Sequence, residues 1–514
     1  MLLRLKSVKQ LATITVLVFT ATANATIYNV PGDYATIQEA IAAVKDGDEI
    51  VVAPGTYNEA IDFLGKPITI ISSGGAEVTT IDGTGLNTSV VSCINLEGAD
   101  TVLEGFTITG GNALDGGGMY NQFSDPTVTS CRFIQNAAIS WGGGMYNSFS
   151  DPTLSDCVFS SNSAVQGGGM VVSNESNPTI SDCTFSGNTA SEFGGGIRFT
   201  KGSYIVTNCT FVENIAEGFL GGGAIWVFAN QEIDLTVIDS SFIGNSAPSG
   251  RGGAIRASTL TASGCSFIDN SAGLLGGALY LNGDIFGAPA GSFCLSNCLL
   301  AQNDALFGGG IFHESELSIL SVANCTVTNN TAGIGGGILT DDLTVLFLDN
   351  SILWDNQPEQ LLNDDISVVM VSYSNIQGGW PGLGNINANP LFVDPDNDDY
   401  RLAATSPCID AANNNAVPKG IETDLGGDPR FVDDPDTPDT GVGTPPLVDM
   451  GAYEFQLVAC PWDLDGDGSV GISDLLHLFG NWGSNPGNPA DFDKDGFVNT
   501  NDLLILFANW GPCP

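Results

Sequence analysis

Positive charge is scarce in this chain. Fourteen Lys and Arg stand against 58 Asp and Glu, a formal net charge of −44. Such a chain cannot assemble, over much of its surface, the basic patch that a phosphate backbone requires, which excludes nucleic acid as a partner. Histidine is nearly absent, with two residues. His313 stands apart from any Ser-His-Asp or metal-ligand pattern, so a structural role is expected of it. Beyond residue 25 every apolar run is cut by Gly, Asn, Ser or Asp, and none is long enough to span a bilayer as a helix. The middle of the chain also lacks a 3.6-residue apolar stripe, which excludes the helical repeat folds.

What is present begins with an export signal over 1–25. Arg4, Lys6 and Lys9 precede the apolar run from Leu11 to Thr22, and Ala23-Asn24-Ala25 offers small residues for cleavage, so a mature chain starting at Thr26 is expected. A secreted or cell-surface location follows, and there an acidic, Gly- and Asn-rich surface has access to calcium.

Two landmarks then alternate. A glycine doublet or triplet recurs at Gly116, Gly142, Gly167, Gly194, Gly222, Gly252, Gly276, Gly308 and Gly335. Between these lies a large apolar residue followed three positions later by asparagine, from Phe133/Asn136 through Phe211/Asn214 to Leu353/Asn356. Nine ordered copies at about 27-residue spacing define a solenoid. Each unit is rich in Thr, Val, Ile, Phe and Ser in runs of four to seven, which predicts three short strands per coil. With coils ~4.8 Å apart, nine make a rod about 40 Å long.

Aligned on glycine, the units yield an inward column: Met119, Met145, Met170, Ile197, Ile225, Ile255, Leu279, Ile311 and Ile338. The first two glycine columns are invariant and call for positive φ or very close backbone approach; the third tolerates Ala224, Ala254 and Ala278. The Asn column is expected at a buried corner, where an amide donates to one neighbouring coil and accepts from another. Five residues before it stand Cys131, Cys157, Cys183, Cys209, Cys265, Cys298 and Cys325, with Ser240 and Ser351 in the two remaining slots. Seven cysteines in one column cannot all pair with one another, so buried free thiols are expected.

The paired glycine and F-x-x-N segments resemble the polymorphic outer-membrane-protein repeat and the broader pectate-lyase-like superfamily over about residues 110 to 360. That resemblance implies an all-β, right-handed parallel β-helix across 26–456. It leaves activity open, because such helices serve as adhesins, lyases, hydrolases and stalks. The phrases VPGDYATIQEAI and DGDEIVVAPGTYNE resemble the superfamily's opening segment. There Thr36 can cap a helix from Ile37 to Val44 that covers the open first coil. The stretch NANPLFVDPDNDDYRLAATSPCID with VDMGAYEF resembles a terminal segment of bacterial secreted β-helices, and a cover for the lower end is expected of it.

Residues 457–514 form a separate tail. Asp463, Asp465, Asp467, Ser469 and Asp474 occupy positions 1, 3, 5, 7 and 12 of an acidic loop, and Asp491, Asp493, Asp495, Phe497 and Asp502 repeat it 28 residues later. Alternating carboxylates, a glycine turn and a position-7 carbonyl supply the hard oxygens of a calcium site, so two ions are expected. With Asp rather than Glu at position 12 and an apolar helical phrase after each loop, the tail resembles a dockerin. That resemblance implies a small α-helical calcium-binding domain and a cohesin-like partner, although Ile472-Ser473 and Thr500-Asn501 depart from the repeated Ser-Thr pair of many cellulosomal examples. Cys460 and Cys513 bracket both loops, and export permits a disulfide between them.

One outward column, Tyr120, Tyr146, Val171, Arg198, Trp226, Arg256, Tyr280, Phe312 and Leu339, offers aromatic planes for sugar faces and arginines for acidic sugars. Tyr120, Tyr146, Arg198, Trp226, Arg256, Tyr280 and Phe312 are therefore the expected contacts to a polysaccharide or cell-envelope component. Asp125, Asp151 and Asn177, each before proline, are expected to end outer turns. The alternative is a polysaccharide lyase or glycoside hydrolase acting on acidic polysaccharide. A lyase needs a cation or calcium to neutralise a uronate carboxylate and a base to take the α-proton. Arg198, Lys201 and Arg256 are its basic candidates, with Asp151, Asn177 and Asp182 as accessories, and no compact catalytic motif joins them. An adhesin or scaffold is the primary expectation.

Overall fold

The computed structural model describes residues 25–227, 233–283, 291–456, 460–465, 469–484 and 488–512. Apart from Ala25, the expected export signal lies outside them.

Between Ile27 and Ile376 the chain winds through parallel strands that stack coil on coil into sheets of 14, 13, 12 and 9 strands. One coil shows the order. Thr127–Thr129 joins the 14-stranded sheet, Arg132–Ile134 the 13-stranded, Ala137–Trp141 the 9-stranded and Met145–Ser148 the 12-stranded. Equivalent residues pair from coil to coil, as in Thr127 with Thr153, Phe133 with Phe159 and Met145 with Met170. The expectation of three strands per coil is corrected. A fourth, from Asn112–Asp115 to Thr331–Ile334, fills the interval between the Asn and Gly columns. Register shifts interrupt several of its pairings and its residues are mostly part-exposed, so no strict alternation marks it in the sequence.

The inward column from Met119 to Ile338 is wholly buried. Beside it Phe133, Phe159, Phe185, Phe211, Phe242 and Phe267 stack, with successive centroids 4.8, 4.7, 5.0, 4.8 and 4.8 Å apart. Coil spacing sets that distance, so identical rings at one lateral position stack without changing the cross-section from coil to coil. The glycine columns divide the work as expected. Gly142 has φ +65°, whereas a Cβ on Gly143 would stand 2.4 Å from the Ser163 carbonyl oxygen.

The Asn column forms a continuous ladder. Nδ2 of Asn162 donates to Phe133 O at 2.8 Å in the coil before and to Asn188 Oδ1 at 2.9 Å in the coil after. Its Oδ1 accepts from the backbone N–H and Nδ2 of Asn136 at 3.0 and 3.2 Å. Asn188, Asn214, Asn245, Asn270, Asn303 and Asn330 repeat the pattern. After Asn356, Gln360 Oε1 takes the place of the next asparagine, at 2.7 Å. The cysteines of the adjoining column are buried and free. Ser240 serves in their slot, accepting the Cys209 N–H at 3.0 Å.

Helix α1 (Ile37–Ala43) starts at Thr36, whose Oγ1 accepts the Glu39 N–H at 3.1 Å. Glu59 accepts the N–H groups of Ile37 and Gln38, and Lys66 Nζ donates to the carbonyls of Ile41, Ala42 and Val44. Both orphaned ends of the helix are thereby satisfied. Ile37, Ala40 and Ile41 join the main core.

The segment from 386 to 456 departs from expectation. Its start meets the last coil, where Asn375 Nδ2 donates to Ala388 O at 2.7 Å, and the rest lies along a flank. Tyr400 packs on Leu299 and Ala301, the Ala452 N–H donates to Thr326 Oγ1 at 3.0 Å, and Asn297 Nδ2 donates to Thr423 O at 2.6 Å. These partners belong to the 13-stranded sheet and its preceding turns, where outward apolar residues such as Leu299 and Ile352 need cover. At the lower end itself, Val369 and Trp380 pack against the main core.

Candidate functional site

The outward column does leave the core, but it is not an open platform. Tyr146, Trp226, Arg256, Tyr280 and Phe312 are at most 5% exposed, and Tyr120 and Arg198 are half-buried. The fourth strand and the turns after it supply the cover. Trp141 lies 5.7 Å from Tyr146 and Phe193 lies 4.3 Å from Trp226, centroid to centroid, while Leu275 and Phe307 pack over Tyr280, Phe312 and Leu339. Arginines sit between the rings. The Arg198 guanidinium is 5.8, 5.6 and 5.7 Å from Trp141, Phe193 and Trp226, and that of Arg256 is 5.8 and 5.5 Å from Trp226 and Tyr280. Desolvation lowers both guanidinium groups to about 10, leaving them cationic at neutral pH. The column is thus a cation–π seam that joins two sheets, and the expectation of exposed sugar-stacking rings is corrected.

The lyase candidates are held separately. Arg256 donates to Leu220 O at 2.9 Å, and Lys201 is ion-paired with Glu175 on the surface. Asp125 accepts the Asp151 N–H at 2.6 Å, Asp151 accepts that of Asn177, and Asn177 accepts that of Ser203 at 3.1 Å. This is the turn-ending role expected of them. Asp182 accepts Asn208 Nδ2 at 2.6 Å. His313 is buried against Ser318, 2.6 Å from Nε2 to Oγ, and desolvation lowers it to about 3.

At the lower end of the seam a cleft of about 440 Å³ opens. Leu275, Phe307, Phe312, Ile334 and Leu339 line it on the apolar side, and Thr340, Asp341, Asn363 and Asp364 on the polar side. Of the expected contact residues, only Phe312 reaches it.

In the tail, helices α2 (Ile472–Gly480) and α3 (Thr500–Ala508) each follow an acidic loop. Asp474 Oδ1 accepts the Leu464 and Asp465 N–H groups and Oδ2 that of Gly471. Against the effect of burial, these amides hold its carboxyl below the ordinary range. Asp502 makes the equivalent bonds to Phe492, Asp493 and Asn499. Carboxylate oxygens of Asp463, Asp465 and Asp474 lie within 4.8 Å of one another, as do those of Asp491, Asp493 and Asp502. These converging oxygens fit a hard cation. Phe497 turns its ring outward, 52% exposed, so only its carbonyl is available to the loop. Asp467 and Cys513 lie outside the described residues; Cys460 is disulfide-bonded. Val470, Leu478, Val498 and Leu506 share one small core, whereas Leu476, Phe479 and Trp482, and their counterparts Leu504, Phe507 and Trp510, are 45–63% exposed.

Sequence reasoning missed a buried ionic group in the flank. Arg430 is fully buried, donates to Gly451 O and lies 3.9 Å from Glu454. Asp449 and Glu454 are buried beside it, and burial raises both well above the carboxylate range. Arg430 stands in a Pro- and Asp-rich stretch with no repeat to mark it.

Two family models match within the coils. The family model described as right handed beta helix region matches residues 69–242, and that of the Chlamydia polymorphic membrane protein repeat matches 239–258. No curated protein matches the chain. Among solved structures, pectate lyase Pel9A is similar at 14% identity with a TM-score of 0.33, over 84% of this chain and 97% of that one. Pectin methylesterase from carrot is similar at 10% identity with a TM-score of 0.21, over 72% and 84%. The body of this protein is a right-handed parallel β-helix.

Proposed function

We propose that the protein is a secreted or cell-surface β-helix adhesin or scaffold, attached through a calcium-loaded, dockerin-like tail. The observation that carries this reading is the tail's duplication. Two carboxylate loops 28 residues apart are each followed by a helix whose Leu, Phe and Trp side chains face solvent, although the small core needs none of them. An exposed apolar face of this kind suits a protein partner, and a cohesin-like module is the one the resemblance implies. Calcium, one ion per loop, would order the face by drawing the acidic residues together. We read α1 as the cap over the first coil, because its apolar side enters the same core as the strands.

Recognition of a carbohydrate is favoured at the cleft around Phe312 rather than along the whole column. An apolar floor beside Thr340, Asp341, Asn363 and Asp364 suits a sugar ring with its hydroxyl groups.

The test is a pull-down of envelope components by full-length protein, with calcium and with chelator, alongside binding to neutral and acidic polysaccharides. Calcium-dependent capture that Asp463→Ala with Asp491→Ala abolishes, and sugar binding weakened by Phe312→Ala, are expected. Capture that is indifferent to calcium would sink the attachment role. Unsaturated products lost on Arg198→Ala or Lys201→Ala would replace the reading with a lyase.

A further inference from the structure

Asp410 lies in the flank segment with no solvent exposure. Its Oδ2 accepts the Asp434 N–H at 3.2 Å, whereas Oδ1, equally buried, has no hydrogen-bond partner. A buried carboxylate oxygen without donor or cation is costly, and native structures rarely leave one so. The chain folds back over this residue, because the N–H groups of Thr440 and Gly441 donate to the Asp410 carbonyl at 3.0 and 2.9 Å. That return brings Asp433 and Asp439, both exposed, to the same place. One carboxylate oxygen from each of Asp410, Asp433 and Asp439 lies within 4.8 Å of the others.

The neighbours do not neutralise this charge. Asp434 is occupied by the Asp436 N–H and the Thr437 hydroxyl, and Asp449 by the N–H groups of Asp410 and Phe455. Arg430 is directed to Glu454 and the Gly451 carbonyl. Among the described residues no ion pair reaches Asp410, Asp433 or Asp439.

We propose that Asp410, Asp433 and Asp439 bind one calcium ion, separate from the two expected in the tail. The donors are all carboxylate oxygens, the ligand class of calcium and magnesium. Two of them stand on an irregular, solvent-facing turn, which suits the variable geometry of calcium better than the strict octahedron of magnesium and leaves room for water. The ion supplies the partner that Asp410 Oδ1 lacks and ties the 433–441 turn to the strip that covers the 13-stranded sheet.

The test uses full-length protein and counts bound calcium by native mass spectrometry, while hydrogen exchange follows peptides across 433–441. Asp433→Asn with Asp439→Asn should hold one ion fewer than the parent and lose calcium-dependent protection of 433–441. The response of the two tail loops should stay unchanged. Equal ion counts, or protection that survives the double substitution, would overturn the site. Equal protection by magnesium would overturn the choice of calcium. Both substituted residues are exposed, so the test does not depend on Asp410→Asn folding. Empty tail loops would lower both counts together and leave the difference of one ion intact.

Discussion

In the body, Asn136 to Asn356 recur once per coil and each amide meets the next. In the tail, Asp463, Asp465 and Asp474 recur 28 residues later as Asp491, Asp493 and Asp502, and each group converges on itself. Both regions repeat a short polar side chain at a fixed interval. An amide carries donor and acceptor together, so a column of amides satisfies itself. A carboxylate only accepts, so a cluster of them remains in debt to backbone N–H groups or a cation. On the proposed reading, order is therefore intrinsic to the body and conditional on calcium in the tail.

The largest test of that difference is chelation. Removing calcium should abolish the calcium-dependent hydrogen-exchange protection of 463–474 and 491–502 while the denaturant midpoint of the body stays unchanged. A body that loosens equally would erase the distinction. Next comes Asn214→Leu, which strips partners from the Asn188 N–H and Nδ2 and from Phe185 O, at about 1–3 kcal/mol for each group left unpaired. Urea unfolding should show the loss whether or not calcium is present.

A third test sets the pH response of body and flank against each other. His313 titrates below its ordinary value, so its contribution is whole above about pH 6.5 and falls away toward about 3 by up to ~1.4 kcal/mol per pH unit. Asp449 and Glu454 are raised by burial, so theirs is whole below the ordinary carboxylate range and is lost as the pH climbs through neutrality. Proteolysis within 420–455 should accelerate in alkali, whereas His313→Gln should flatten the acid limb of urea stability. The smallest effect belongs to Cys157→Ser. Because Ser240 already fills that column by donating to Ile238 O at 2.8 Å, the cost should be under about 1.5 kcal/mol in the same urea assay.

The columns were legible because nine coils repeat each constraint, so Phe133 or Asn136 need not be interpreted alone. Two further turn columns were not. The residues before each Cys and Asn slot adopt positive φ, as in Ser130, Asp156 and Asn208 or Gln135, Ser161 and Glu213, and the side chains vary because only the backbone is constrained. The outward direction of Tyr146 and Trp226 followed from strand parity; their cover by Trp141 and Phe193 depends on a strand whose bulges break any simple period. The tail loops were legible through spacing. Asp410, Asp433 and Asp439 were not, since a 23-residue gap separates the first from the second and folding alone unites them.

The asparagine ladder also has a direction. Every amide-to-amide bond in it runs from the Nδ2 of one coil to the Oδ1 of the next toward the C-terminus, so the column is a vector and not a mirror. Two such bodies meeting end to end could continue it only head to tail, donor into acceptor. Gln360 carries the ladder one step on, since its Oε1 accepts from Asn356 Nδ2 at 2.7 Å and its Nε2 donates to Gln377 Oε1 at 3.0 Å, and Gln377 turns its own Nε2 aside to Asp355 Oδ1 at 3.1 Å. The last amide thus directs its donor back into the chain rather than onward along the corner.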